Sequence, residues 1–215
     1  MIKLFTADTH FGQERTLTLS RRPFMNTKSM DMTMISLTNK KIWTIKENFP
    51  NENIVLMHLG DFGDYTNVKK YNCPVILIIG NYEEQEIRTY PGETDDEKFR
   101  NFREKLINEY GFKDVLKPNE VVSIEFMNND TNMREIRTVT MVHRPLDFIK
   151  KRELKDSNSF DTDYCIFGHI HGRQKIKKFG IDVGVDCNNF TPVTESDIGF
   201  YLEAIEKFYD DEVFC

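Results

Sequence analysis

The chain has 215 residues, 39% of them apolar and 30% charged, which is the composition of a globular protein with room for one sizeable core across residues 1–215. Its longest clean apolar run, Val75 to Ile79, is far too short to cross a bilayer, and Met1 to Asp8 reaches a carboxylate before any signal-peptide core; a cytoplasmic protein without a membrane partner is expected. A net charge of -6 carries no global footprint for nucleic acid, although two bound dications would cancel most of it.

Four cysteines (Cys73, Cys165, Cys187 and Cys215) show no CxxC spacing, and reduced thiols acting as small apolar residues are expected. Ile2 to Ala7 is a strand that runs into Asp8-Thr9-His10-Phe11-Gly12, where Asp8 and His10 share an i, i+2 spacing and so face one side in extended geometry. Ser29 to about Phe49 is helical, with Met30, Met34, Leu37, Ile42 and Ile45 on its apolar face and Pro50 just beyond. Asn53 to Leu59 is a continuous apolar run ending at Gly60-Asp61, the pattern of a buried central strand delivering a carboxylate to its end. Pro74 to Ile79 repeats the design and ends at Gly80-Asn81-Tyr82-Glu83, while Tyr65 to Tyr71 has room only for a short helix or turn.

Asp95 to Tyr110 is an amphipathic helix, with Phe99, Phe102, Leu106 and Ile107 inward, stopped at Gly111. Val121 to Phe126 and Ile136 to Val142 alternate as a β-hairpin, and the second strand ends at His143-Arg144-Pro145. Asp147 to Asp156 is basic and mobile-looking. Tyr164 to Phe167 is a short buried strand running into Gly168-His169-Ile170-His171-Gly172. Gly172 to Val185 forms another hairpin-like pair ending at Asp186, and Thr194 caps a C-terminal helix reaching Tyr209. The whole is one α/β domain, in which ligands gather outside the carboxyl ends of the strands.

The polar groups at those ends are Asp8, His10, Asp61, Asn81, His143, His169 and His171, and they include four of the five histidines. Carboxylate, imidazole and amide without thiolate suit one or two divalent ions of intermediate hardness. Seven side chains exceed the needs of one ion; with one bridging carboxylate they serve two ions at about four ligands each. Asp61 is the natural bridge because it ends the most apolar strand.

Asp-x-His, Gly-Asp-x-x-Asp, Gly-Asn-x-Glu, a lone strand-end His and Gly-His-x-His, in this order, resemble the calcineurin-like metallophosphoesterases over about three quarters of the chain. The early segment Asp8 to Gly12, followed by Arg21-Arg22-Pro23-Phe24, is similar to their compact bacterial and phage branch. The resemblance implies a four-layer α/β/β/α sandwich with two facing mixed sheets and a dinuclear site at the strand ends. Asp8, His10 and His171 would hold one ion, Asn81, His143 and His169 the other, and Asp61 would bridge. It implies two divalent cofactors, manganese first, with iron, nickel, zinc or magnesium as alternatives. It also implies in-line attack of a metal-bridging hydroxide on phosphorus, with Asp61, Asn81, Tyr82 and His143 in the catalytic set.

One position departs from the pattern. The family usually carries His after Gly-Asn, and this chain has Tyr82. A phenol with an unperturbed pKa near 10 is a poor general acid at neutral pH and brings no positive charge. That handicaps doubly charged monoesters more than diesters, so a small or nucleotide-like phosphodiester is the expected substrate. A monoester, nucleic acid as a nuclease substrate, and a weakly catalytic scaffold for a partner protein stay open as alternatives, as does the oligomeric state.

Arg144 reads equally as a phosphate contact and as a surface ion pair, and Arg22 is a weaker candidate for phosphate. His58, one pleat off the ligand positions, is expected to be structural or to orient a ligand, and Asp64 to hold its turn or a ligand histidine. The run Arg173, Lys175, Lys177, Lys178 reads as a solvated hairpin face ahead of an anion funnel. Trp43, Tyr82 and Phe11 could stack a base, with core packing the default for Trp43.

Overall fold

The structure is a computed structural model that describes residues 1–153 and 162–210. It is α/β, with two mixed five-stranded sheets and flanking helices. In the first sheet β1 (Ile2–Thr6), β2 (Ile54–His58), β3 (Val75–Ile78) and β4 (Asp114–Leu116) run parallel, and β10 (Val193–Thr194) pairs antiparallel with β1. The second sheet begins with the hairpin of β5 (Glu120–Met127) and β6 (Arg134–Met141), to which β7 (Cys165–Phe167) and β9 (Gly180–Asp182) add in parallel. The two-residue strand β8 (Ile176–Lys177) closes its far edge against β9.

Alternation within the strands builds the layers. Leu4 and Leu56 face one side of the first sheet, where they join Met30, Met34 and Ile42 of helix α2 (Thr27–Asn48) and Phe102 of helix α4 (Asp95–Lys105). Phe5, Val55 and Met57, one residue on, face the other side and share a cluster with Ile124, Val139, Met141, Ile166 and Ile181 of the second sheet. This shared cluster is consistent with a sandwich. Each fully buried Leu or Phe in it contributes about 1.5–3 kcal/mol relative to exposure. Strands buried on both faces carry apolar residues at every position, and so β2 reads as a continuous run.

Local chemistry sets most helix ends. Asn26 caps α2 by accepting the Ser29 N–H at 2.9 Å, and Thr94 and Thr194 do the same for α4 and for α6 (Glu195–Phe208). Gly111, at φ +93°, ends the wide turn that extends α4 over Leu106–Tyr110. Residues Tyr65–Lys70 form one short 3₁₀ helix, with exposed Asp64 accepting the Thr66 N–H at its start, which is the turn-holding role expected of it.

Six elements have no counterpart in the sequence analysis: α1 (Glu14–Leu19), α3 (Asn81–Ile87), β4, α5 (Pro145–Glu153), the 3₁₀ turn Val185–Cys187 and β10. All are short, and their apolar periodicity is too brief to register. The segment Asp147 to Asp156, expected to be mobile, is helical as far as Glu153, and its remainder lies outside the described residues. Trp43 corrects another expectation: it is 60% exposed, because it sits one position past Ile42 and therefore off the buried stripe of α2. Cys73, Cys165 and Cys187 are not joined in disulfides. Among the described residues no helix is long and apolar enough to cross a membrane.

Candidate metal centre

Three parallel neighbours in each sheet, β1-β2-β3 and β6-β7-β9, deliver their carboxyl ends to one rim. The loops beyond those ends are stitched to one another through the backbone. The Asp8 N–H donates to Gly60 O at 3.0 Å, His10 N–H to Asp61 O at 3.0 Å, Gly168 N–H to His143 O at 3.1 Å and Val185 N–H to Ala7 O at 3.1 Å. β2 is the middle strand of its sheet, so Asp61 emerges at the centre of the rim.

The seven side chains named from the sequence meet there. Asp8, His10 and His171 bring ligand atoms within 4.8 Å of one another, and Asp61, His143 and His169 do the same. Between the two groups, Asp61 Oδ2 lies 3.6 Å from His10 Nε2 and 3.4 Å from His143 Nε2. The Asn81 amide joins the second group, its Oδ1 2.9 Å from His143 Nε2.

The backbone is contorted to achieve this. Asp8, His10, Asp61, His169 and His171 all adopt left-handed φ angles between +48° and +73°. Each such residue costs about 1–3 kcal/mol, and such positions cluster where function requires them. Close approach adds a second demand. A Cβ on Gly168 would lie 2.4 Å from Asp8 Oδ2, and one on Gly80 would lie 2.5 Å from Asp61 Oδ1. Only glycine lets the loops close on the two carboxylates.

Three of the imidazoles are held by Nδ1. His10 Nδ1 contacts Gln13 Oε1 at 2.9 Å, His143 Nδ1 contacts Leu59 O at 2.7 Å, and His171 Nδ1 contacts Asp186 Oδ2 at 2.8 Å. Each contact leaves Nε2 pointing into the cluster, which is how ligating histidines are usually oriented. Asp8 Oδ1 and His10 Nε2 are buried without a hydrogen-bond partner among the described residues. Buried orphaned acceptors beside clustered carboxylates fit a cation between them.

Electrostatics point the same way. Burial pushes the Asp8 carboxyl up to about 7, and burial pushes His10 down to about 4. Burial alone would lower His143, but its hydrogen bond to Asp61 and the charges of Asp8 and Asp61 raise it to about 9. His169 is lowered by burial first and then by the neighbouring His143. Without a dication the cluster balances itself with retained protons, which a metal would displace.

Other residues sit beside or behind the cluster. The half-buried Tyr82 ring packs edge-on against His10 with centroids 5.1 Å apart, and its backbone N–H donates to Asp61 Oδ1 at 3.1 Å. Arg144, half-exposed, pairs with Glu84 and with Asp147, which is the ion-pair reading of the two. Arg22 departs from its expected place: its side chain is fully buried behind the cluster and its donors are spent on Asp186 and on the Asp8 and Thr9 carbonyls. His58 is buried and orients Thr9 through a 2.9 Å contact to Nε2. Lys175 lies over the Tyr201 ring and Lys177 bonds Gln174, which agrees with a hairpin face. Phe11 is buried against Phe62, so it offers no face for stacking.

Residues with no assigned role in the sequence reading hold the rim together. Glu83, 1% exposed, accepts the N–H groups of Asp61, Phe62 and Gly80 at 2.8–2.9 Å. Its position three residues after Gly80 at a helix start is a capping signature that the sequence carried. Asp182 is wholly buried, burial raises it to about 6, and its Oδ1 accepts the Gly184 N–H at 2.7 Å. Asp182 closes β9 and Asp186 follows four residues on, in the 3₁₀ turn Val185–Cys187; a carboxylate at the end of an apolar strand was the available signal.

No protein-family model matches the chain, and no curated protein matches it. Among solved structures the chain is similar to the crystal structure of a protein of unknown function from Aquifex aeolicus, at 16% identity over 90% of this chain and 95% of that one, with a TM-score of 0.50, a likeness of fold alone.

Proposed function

We propose that the chain is a divalent-metal-dependent phosphoesterase of the calcineurin-like kind, acting on a small or nucleotide-like phosphodiester. The reading includes a four-layer α/β/β/α sandwich with a dinuclear site at the strand ends. The observation that carries it is the pair of carboxylate and imidazole groups on either side of Asp61, with Asp8 Oδ1 and His10 Nε2 left buried and unpartnered. Asp8, His10 and His171 would hold one ion and Asn81, His143 and His169 the other, with Asp61 between them. Two such ions, manganese first, would polarise phosphoryl oxygens and lower the pKa of a water between them.

The chain's own residues do the positioning. Leu59 O, Gln13 and Asp186 fix the imidazoles, and Glu83 fixes the turn that carries Asp61. Tyr82 stands at the cluster's edge and lines a groove of about 530 Å³ together with Gln13, Asp64, Tyr65 and Glu86. Among the described residues no cation lines this groove, and its carboxylates would repel the further phosphates of a polynucleotide. A small diester with an uncharged substituent suits it better than nucleic acid. Tyr82 brings no positive charge, which favours the singly charged diester over the monoester.

The test is a pair of rates with Mn²⁺, on an aryl phosphodiester and on the matching monoester, together with metal analysis. Faster diester turnover, abolished in Asp61→Asn with the fold retained, is expected. Absence of hydrolysis on both esters with fewer than one ion bound per chain under saturating Mn²⁺ would replace this reading with a scaffold.

A further inference from the structure

A buried arginine behind a candidate cation site needs a reason, since its charge raises the cost of placing another cation nearby. Arg22 is committed on every side. Its Nε donates to Asp186 Oδ1 at 2.8 Å and one terminal nitrogen to Asp186 Oδ2 at 2.9 Å, a forked pairing. The same terminal nitrogen reaches Asp8 O, and the other reaches Thr9 O at 2.9 Å with the Met30 sulfur 3.4 Å away. Asp186 Oδ2 in turn accepts from His171 Nδ1 at 2.8 Å, with Ser20 Oγ 3.0 Å from the same nitrogen.

One guanidinium and one carboxylate therefore join two loops that are far apart in sequence. The first loop presents Asp8 and His10, and the second presents His171. We propose that Arg22 and Asp186 are a positioning pair that fixes the loop of Asp8 and His10 relative to His171 and makes the position these three share the tighter of two metal positions. The inference rests on the metal reading above and extends it to an inequality between the ions.

Among the described residues the second position has no equivalent brace. His143 is held through Leu59 O, but among the described residues none hydrogen-bonds the His169 ring, which is exposed at the mouth of the site. A ligand free to rotate must be ordered when the ion binds, at a cost in side-chain entropy. A ligand already held makes no such demand. The first ion meets a preorganised set, and the second meets a partly mobile one.

The test is a Mn²⁺ titration of the whole chain by calorimetry and electron paramagnetic resonance, for wild type, Asp186→Asn and Arg22→Lys. Wild type is expected to fill a tight and then a weak position. Asp186→Asn sets an amide NH₂ against the Arg22 donors, and the tight constant should weaken by about 10–100-fold. The weak constant should move less than about threefold, since its ligands keep their partners. Arg22→Lys keeps the charge and loses the fork, so it should fall between the two. In metal-free protein, long-range ¹⁵N spectra should show the His171 proton held on Nδ1 in wild type and redistributed in Asp186→Asn.

Equal weakening of both positions, or an unchanged tight constant, would overturn the pairing while leaving the metal reading intact. Wild type that binds no Mn²⁺ would overturn both. Should Asp186→Asn fail to fold in EDTA, Arg22→Lys carries the comparison.

Discussion

Glu83→Gln isolates the staple that shapes the rim. The wild-type carboxylate, 1% exposed, accepts three backbone N–H groups, two on Oε2 from Asp61 and Gly80 and one on Oε1 from Phe62. In the variant the amide oxygen serves best at the Oε2 place, keeping two bonds, and the NH₂ then faces the Phe62 N–H. One hydrogen bond to a charged acceptor is lost, worth about 1.5–3 kcal/mol, and a buried donor is left unpaired. The neutral amide is easier to bury than the carboxylate, whose pKa burial and then Asp61 push upward, and this relief offsets part of the loss. A net cost of about 2 kcal/mol follows, or a melting temperature lower by roughly 4–8 °C for a chain of this size.

The assay is thermal unfolding in EDTA with Glu84→Gln as the control. Glu84 is adjacent and only half-buried, and its pair with Arg144 is of the kind worth about 1 kcal/mol or less. Because Glu83 also sets the Asp61 turn, Mn²⁺ affinity should fall with stability in Glu83→Gln and hold in Glu84→Gln. A Glu83→Gln protein melting within about 1 °C of wild type with unchanged Mn²⁺ affinity would show that Glu83 does not hold the rim.

Three further outcomes are expected. His143 is raised to about 9 in the folded chain, above the unfolded value near 6.5, so its contribution is complete below that value and is lost as pH rises through the folded one. The melting temperature in EDTA should therefore fall between pH 7 and 9 while the stabilisation by Mn²⁺ grows, and a flat or rising metal-free profile would contradict the assignment. Tyr82→His should raise monoester turnover relative to diester by at least about tenfold, the low end of what a general acid contributes or below it; an unchanged ratio would remove Tyr82 from substrate choice. The sole tryptophan, Trp43, is 60% exposed, so its fluorescence should peak at water-like wavelengths and be quenched fully by acrylamide, and Trp43→Ala should shift stability by about 0.5 kcal/mol or less.

The strands that run to the rim, and the order of the polar groups they deliver, are encoded locally along the chain. β2 and β3 are short apolar runs leading to Asp61 and Asn81, and β1 alternates weakly before Asp8; a run buried on both faces announces itself without any knowledge of its neighbours. Helices α2, α4 and α6 were legible for a similar reason, since their apolar periods, the Thr194 cap and the stops at Pro50 and Gly111 are local, whereas the caps Asn26 and Thr94 were not read. Local information ends where partners are distant. Arg22 and Asp186 are 164 positions apart, and their pairing turned an expected phosphate contact into a buried brace. Trp43 was assigned to the core from its residue type, whereas the rotation of α2 against the first sheet puts its neighbour Ile42 inward and leaves the indole in solvent. The left-handed turns at Asp8, His10, Asp61, His169 and His171 are likewise a product of loops stitched across both sheets, because Asp and His, although more frequent in that region than most residues, still adopt it in only a minority of cases. Chain order specified which groups reach the rim, and the packing of the two sheets decided which of them face one another and which stand behind.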